Sequence, residues 1–200
     1  DMEQWQEVQS VLPDLRKRHV LERKEVASLD QEAAVGQLET ALVKQDWQRM
    51  SEVWEKSPSK SRQTEAMLVP YVNGLIEQQQ EEQAIAQIEQ YMRHNWSEKL
   101  VYIYGVLTQG DVLARLATAE KWLKAYPDNA CLLLTVGRLA AANELWTKAE
   151  EYLQQSIRLG AKGETYQVLA EVQLAQDKKE AAADTYKQGL LLMLSPRTTV

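Results

Sequence analysis

At 200 residues the chain is long enough for one repeat array or one ordinary domain, and a 44% hydrophobic content supplies a sizeable core. A formal net charge of −6 argues against general nucleic-acid binding, which needs a basic face to neutralise phosphates. Cys131 is the only cysteine, so no intrachain disulfide can form, and no apolar run approaches the roughly 18–20 residues that span a bilayer.

Taken in chain order, the sequence reads as helices throughout. Ala, Leu, Glu, Gln and Lys recur, the residues that lose least side-chain freedom in a helix, and strand-like β-branched runs and hairpin dipeptides are missing. A first helix is expected over about 2–18, with Trp5 ahead of Val8 and Leu12, a kink or restart at Pro13, and the basic run Arg16-Lys17-Arg18 as a solvated end. Helices at about 22–44 and 46–56 follow, the second carrying Trp47, Met50 and Trp54. Ser57 to Ser61 is the most linker-like stretch. A helix over 61–78 is expected to be disturbed at Pro70, and 81–94 carries Ala84, Ile88 and Tyr91. The segments 97–108 and 111–125 are the most degenerate, with Arg115 and Ala119 where a small and a large residue belong. The last four helices are placed at 129–143, 146–159, 163–176 and 179–194, before a frayed tail from Ser195.

Those last four repeat one another. After the cap at Pro127-Asp128-Asn129 come Leu133, Val136, Gly137 and Ala140, then Ala149, Leu153 and Ser156 on a second helix. Thirty-three residues further on stand Tyr166, Leu169, Ala170 and Gln173, then Ala182, Tyr186 and Gly189; only Gln173 breaks the size pattern. Small residues such as Gly137 and Ala170 let the second helix approach, and Ala149 and Ala182 are the matching flat spots. One pair cannot bury both its faces, so pairs stack. The expected fold is all-α, a tetratricopeptide-type right-handed superhelical solenoid of antiparallel helix pairs. It is expected to form a single domain over 1–200: a half-repeat at 1–18, then pairs at 22–56, 61–94, 97–125, 129–159 and 163–194.

Catalytic chemistry finds no support. His19 and His94 belong to no ligand motif, there is no Gly-rich phosphate loop, and Cys131 sits in an apolar run without a cation to lower its pKa. The acidic pairs Glu81-Glu82 and Glu150-Glu151 read as helix-start residues that complement the dipole. Tyr102, Tyr104, Trp96 and Trp122 suggest an aromatic pocket for a flat ligand such as a porphyrin, but in a chain without Phe they are explained more economically as core. Neither a catalytic residue, a metal site nor a cofactor site is assigned. What remains is the concave face, lined by first helices. Ala66, Val69 and Asn73 are expected on it in one repeat, Arg138 and Ala141 in another, and Glu164, Gln167, Glu171 and Leu174 in the last. This mixed lining suits an extended peptide or a partner helix.

The opening from Trp5 to Lys17, the Glu-rich helix ending near Leu42, the stretch from Leu145 to Leu153 and the closing Tyr186 to Leu194 resemble the C-terminal region of the HemY family, bacterial tetratricopeptide-repeat proteins associated with protohaem biosynthesis. The resemblance implies a membrane tether of two helices upstream, with the repeat domain on the cytoplasmic side of a bacterial inner membrane. It further implies a scaffold or regulator of haem-biosynthesis enzymes, and it offers no catalytic residues. A general peptide-binding adaptor for chaperones or envelope assembly, and direct haem or porphyrin binding, are the alternative expectations.

Overall fold

A computed structural model describes Trp5, residues 23–160 and residues 163–194. The expected helix at 2–18, with Pro13 and His19, lies outside the described residues apart from Trp5, which sits over Gly36. All regular structure among the described residues is helical. We label the helices α1 (Arg23–Lys44), α2 (Trp47–Lys56), α3 (Ser59–Arg62), α4 (Glu65–Glu77), α5 (Glu81–Met92), α6 (Glu98–Val106), α7 (Val112–Ala125), α8 (Ala130–Ala142), α9 (Trp146–Arg158), α10 (Gly163–Ala175) and α11 (Lys179–Leu194). By contacts the chain divides into two compact units, residues 1–97 and 98–200.

In the first unit α1 packs on α2 and α4, and α4 on α5. The expected helix over 61–78 is divided: a single turn, α3, follows Pro58, and the chain restarts at Thr64. The break is therefore ahead of Pro70, which sits buried inside α4. The stretch that looked most like a linker is partly helical, and the Ser57 hydroxyl donates back to the Val53 carbonyl at 2.7 Å. Beneath it Trp54 stacks on Tyr71, with ring centroids 3.9 Å apart and planes 3° from parallel.

In the second unit α8 packs on α6, α7 and α9, and α10 on α9 and α11. The small residues work as the repeat pattern requires. A Cβ on Gly137 would meet Leu153 Cγ at 2.7 Å, so α8 and α9 approach this closely only around a glycine. Gln173, the residue that broke the size pattern, is buried and accepts a hydrogen bond from the Thr185 hydroxyl at 2.8 Å. A matched polar pair replaces an apolar contact there and leaves no buried donor wasted.

Four of the five helix pairs turn in the same way. Gln45, Gln79, Glu144 and Asp177 adopt left-handed backbone, with φ of 55°, 60°, 57° and 59°. The next amide in each case reaches back into the first helix: Asp46 to Ala41, Gln80 to Leu75, Leu145 to Ala140 and Lys178 to Gln173, all at 2.8–2.9 Å. This closes the C-terminal carbonyls of the first helix in a Schellman-type cap, built here without glycine. The exception is the α6–α7 turn, the degenerate segment. There the buried Arg115 donates to the carbonyls of Leu107 (3.0 Å), Gln109 (3.1 Å) and Tyr104, while its guanidinium lies over the Tyr104 ring at 5.0 Å. A side chain does what the turn backbone does elsewhere. In this segment α6 lies close against α8 and less closely against α7.

The last helix, α11, presents Tyr186 and the run from Leu190 to Leu194 to solvent. By repeat position Tyr186 corresponds to Leu153, which is fully buried in α9 beside α10.

Candidate functional site

The first helices α1, α4, α6, α8 and α10 bury one side against their neighbours and leave another uncovered. Equivalent places recur along the array: Val69 and Gln167 share one place, Asn73, Arg138 and Glu171 a second, and Ile76, Ala141 and Leu174 a third. Of the six partner-binding candidates, Val69, Asn73, Arg138 and Ala141 are partly exposed, while Gln167 and Glu171 are fully exposed. The two units treat this face differently.

In the second unit three first helices are stitched together across it. Arg138 on α8 pairs with Glu164 on α10 and lies over the Tyr102 ring on α6, 5.2 Å from its centroid. The Tyr102 hydroxyl donates to Glu164 at 2.8 Å. This bond, made to an acceptor that prefers the neutral phenol, raises the Tyr102 pKa, and burial adds to the effect. Arg138 is the one cation among the six candidates, its charge is paired with Glu164, and only 13% of its side chain is exposed. One turn along α10, Gln167 donates to Glu171 at 3.0 Å.

In the first unit the corresponding face is open. Leu42, Val43 and Gln45 at the end of α1 and Asn73, Ile76 and Glu77 on α4 line a pocket of about 380 Å³. Val43 is 83% exposed, more than any other large apolar side chain among the described residues. Of these six residues the sequence reading assigned only Asn73 to a binding face. The missed signal is the recurrence of an aliphatic residue at one repeat place, Leu42 and then Ile76, on helices that are adjacent in space.

The second helices carry a different network. Glu120 on α7 accepts from Lys148 (2.6 Å) and Tyr152 (2.9 Å) on α9. Burial pushes the Glu120 carboxyl up, but these two donors outweigh it and hold it below its usual range. Burial and the same bond push the Tyr152 phenol up to about 12. Glu150, expected to serve the α9 dipole, instead accepts from Lys178 (2.7 Å) and Gln176 (3.1 Å) beyond α10 and braces one repeat on the next. Its pKa is also lowered, with burial opposing and Lys178 and Gln176 prevailing.

The aromatic cluster near residue 100 separates into two parts. Tyr104 is fully buried against Trp122, ring centroids 4.8 Å apart, whereas Tyr102 belongs to the surface network. Cys131 donates to the Glu98 carbonyl, and His94 is exposed after α5. No group of three or more His, Cys, Asp or Glu that could hold a metal occurs among the described residues. None of the described helices is long and apolar enough to cross a membrane.

No family model matches the chain. Among curated proteins it is 22% identical over 190 residues to Protein HemY of Escherichia coli strain K12, covering 95% of this chain and 48% of that protein. Protein HemY of Shigella flexneri matches to the same extent. The chain thus spans about half the length of the curated relatives it matches. Among solved structures, a MamA RS-1 double mutant superposes with a TM-score of 0.61 at 15% identity, over 82% of this chain and 95% of that one. MamA from Desulfovibrio magneticus RS-1 gives 0.56 at 14%, over 94% and 97%. At these identities the structural likeness establishes the fold alone. The chain is a tetratricopeptide-type helical-repeat protein, similar over nearly its whole length to part of HemY.

Proposed function

We propose that the chain is a non-catalytic scaffold that holds partner proteins on the face formed by its first helices, with Val69, Asn73, Arg138, Ala141, Gln167 and Glu171 among the contacting residues. The observation that carries this reading is that face itself. Within each unit adjacent first helices place equivalent residues side by side, and in the first unit they leave a pocket with exposed aliphatic residues in its lining. Surfaces of this kind accept extended segments and helices.

The similarity to HemY supports a narrower version. In it the partners are enzymes of late haem biosynthesis, and the domain works beside a bacterial inner membrane on its cytoplasmic side, tethered by a segment outside this chain. The test is photocrosslinking in cells from residues 138 and 167, followed by mass spectrometry. Recovery of haem-pathway enzymes supports the narrower version. Recovery of chaperones or envelope proteins supports the scaffold and removes the haem link. Recovery of nothing above an unmodified control overturns the scaffold reading.

A further inference from the structure

We propose that the pocket between α1 and α4 binds an extended peptide segment that carries a large aliphatic or aromatic side chain beside a lysine or arginine. This rests on the scaffold reading and narrows it to one ligand chemistry at one place. Four observations on the pocket converge on that ligand.

The floor is aliphatic. Leu42, Val43 and Ile76 meet there, and Val43 is left 83% exposed at the end of α1. A volume of about 380 Å³ lies at the small end of the range for ligand pockets (about 300–1,000 Å³), the size of one large side chain with part of its backbone. Burying an apolar anchor there removes water from both partners.

The wall carries Asn73. Its side chain is part-exposed in the pocket lining, and no other described residue bonds to it, so the hydrogen-bonding capacity of its N–H₂ and C=O is unused. One amide can donate to a peptide carbonyl and accept from a peptide N–H, which selects backbone irrespective of side chain.

The rim is acidic. Glu77 is the one charged residue of the pocket lining, and Glu39 is exposed one turn before Val43. Lys44 at the end of α1 is the nearby exception, and it does not line the pocket. A carboxylate beside an apolar floor favours a cationic neighbour to the anchor. It also disfavours a porphyrin, whose own carboxylates would face Glu77.

The equivalent place in the second unit is shut. There Arg138 replaces Asn73 and is already paired with Glu164 and stacked on Tyr102. Peptide selectivity therefore belongs to the first unit.

The test is an NMR titration of the isotopically labelled full chain with an acetylated octapeptide containing one leucine followed by two lysines among serines and alanines. Saturable shifts are expected at the amides of Val43, Asn73 and Glu77. Replacing the leucine by serine, or the lysines by glutamates, is expected to weaken binding about tenfold each, a factor that corresponds to roughly 1.4 kcal/mol. The variant Glu77→Lys, at an exposed position, should keep the melting temperature of the parent chain, lose affinity for the lysine probe and gain it for the glutamate probe. The proposal is overturned if all three probes bind alike or not at all, or if Glu77→Lys changes nothing. It is also overturned if haem displaces the lysine probe from the same amides, or if sedimentation shows a dimer that Val43→Asp dissociates. Crosslinking from residues 138 and 167 separates the two levels: partners captured there with no probe binding would remove the pocket and leave the scaffold.

Discussion

Two regions built from the same repeat have reached opposite solutions on their first-helix faces. In the second unit Tyr102, Arg138 and Glu164 bond to one another across α6, α8 and α10, with Arg138 Nη1 buried and left without a hydrogen-bond partner. In the first unit the place of Arg138 is taken by Asn73, Gln31 on α1 donates to Thr64 at the head of α4 (3.4 Å), and a pocket remains at the other end of the two helices. The difference is one of saturation. A surface whose charges are paired within the fold gains rigidity and loses the unmet hydrogen bonds and exposed apolar area that would reward a ligand. Repeat architecture permits this division because each repeat needs only its neighbours.

The comparison is broken most severely by removing the device peculiar to the second unit's core. Arg115→Ala leaves three carbonyls at the end of α6 without their donor and opens a cavity over Tyr104. A loss of about 3 kcal/mol is expected in urea denaturation, with Arg115→Lys recovering little because an ammonium cannot span the three acceptors. Next in size is Arg138→Asn, which gives the second unit the first unit's residue. It removes a charge-assisted bond and a ring contact, so stability should fall by about 1–2 kcal/mol. The Tyr102 phenol should titrate higher still, because the cation that opposes its upward shift is gone. Spectrophotometric titration reads that shift directly.

A smaller effect concerns acid. Glu120 and Glu150 have folded pKa values below their unfolded ones, so the stability they add is present above the usual glutamate range and is lost as pH falls through it. The melting temperature should decline between about pH 5 and pH 3, and Glu120→Gln with Glu150→Gln should flatten that slope. Both residues lie in the second unit, so the flattening should leave resonances of the first unit unmoved. The smallest effects are gains. Gln45→Gly in one unit and Glu144→Gly in the other relieve left-handed backbone at a non-glycine residue, each worth about 0.5–1 kcal/mol in chemical denaturation. Equal gains would show that the two units share the turn even where they differ in the face.

Much of this organisation is legible in the residues. The size pattern around Gly137, Ala149 and Leu153 reports the helix pair because close packing needs a small residue opposite a large one, and that requirement is local. Asn129 is legible as a cap for the same reason, and its side chain does accept from the Leu132 amide at 2.8 Å. Arg115 was legible only as a mismatch. The carbonyls it serves are six to eleven residues away, on a turn whose shape no local rule foretells. Glu164 and Arg138 were both visible as members of the first-helix face, but their pairing depends on how far α8 stands from α10. The pocket was least visible. Val43 is an ordinary aliphatic residue at the end of a helix, and its exposure follows from where α4 stops, at Glu77, and not from anything in its own sequence neighbourhood.

The solvent-facing side of α11 has a consequence for engineering. Stacking between repeats joins unlike surfaces, so the outer side of each second helix is a mould for the first helix that follows it. Tyr186 and Leu190 stand where α9 presents Leu153 and Ile157 to its neighbours. A designed helix added to cover the exposed run from Leu190 to Leu194 would therefore find apolar surface already in place, and its small-and-large order could be taken from α10.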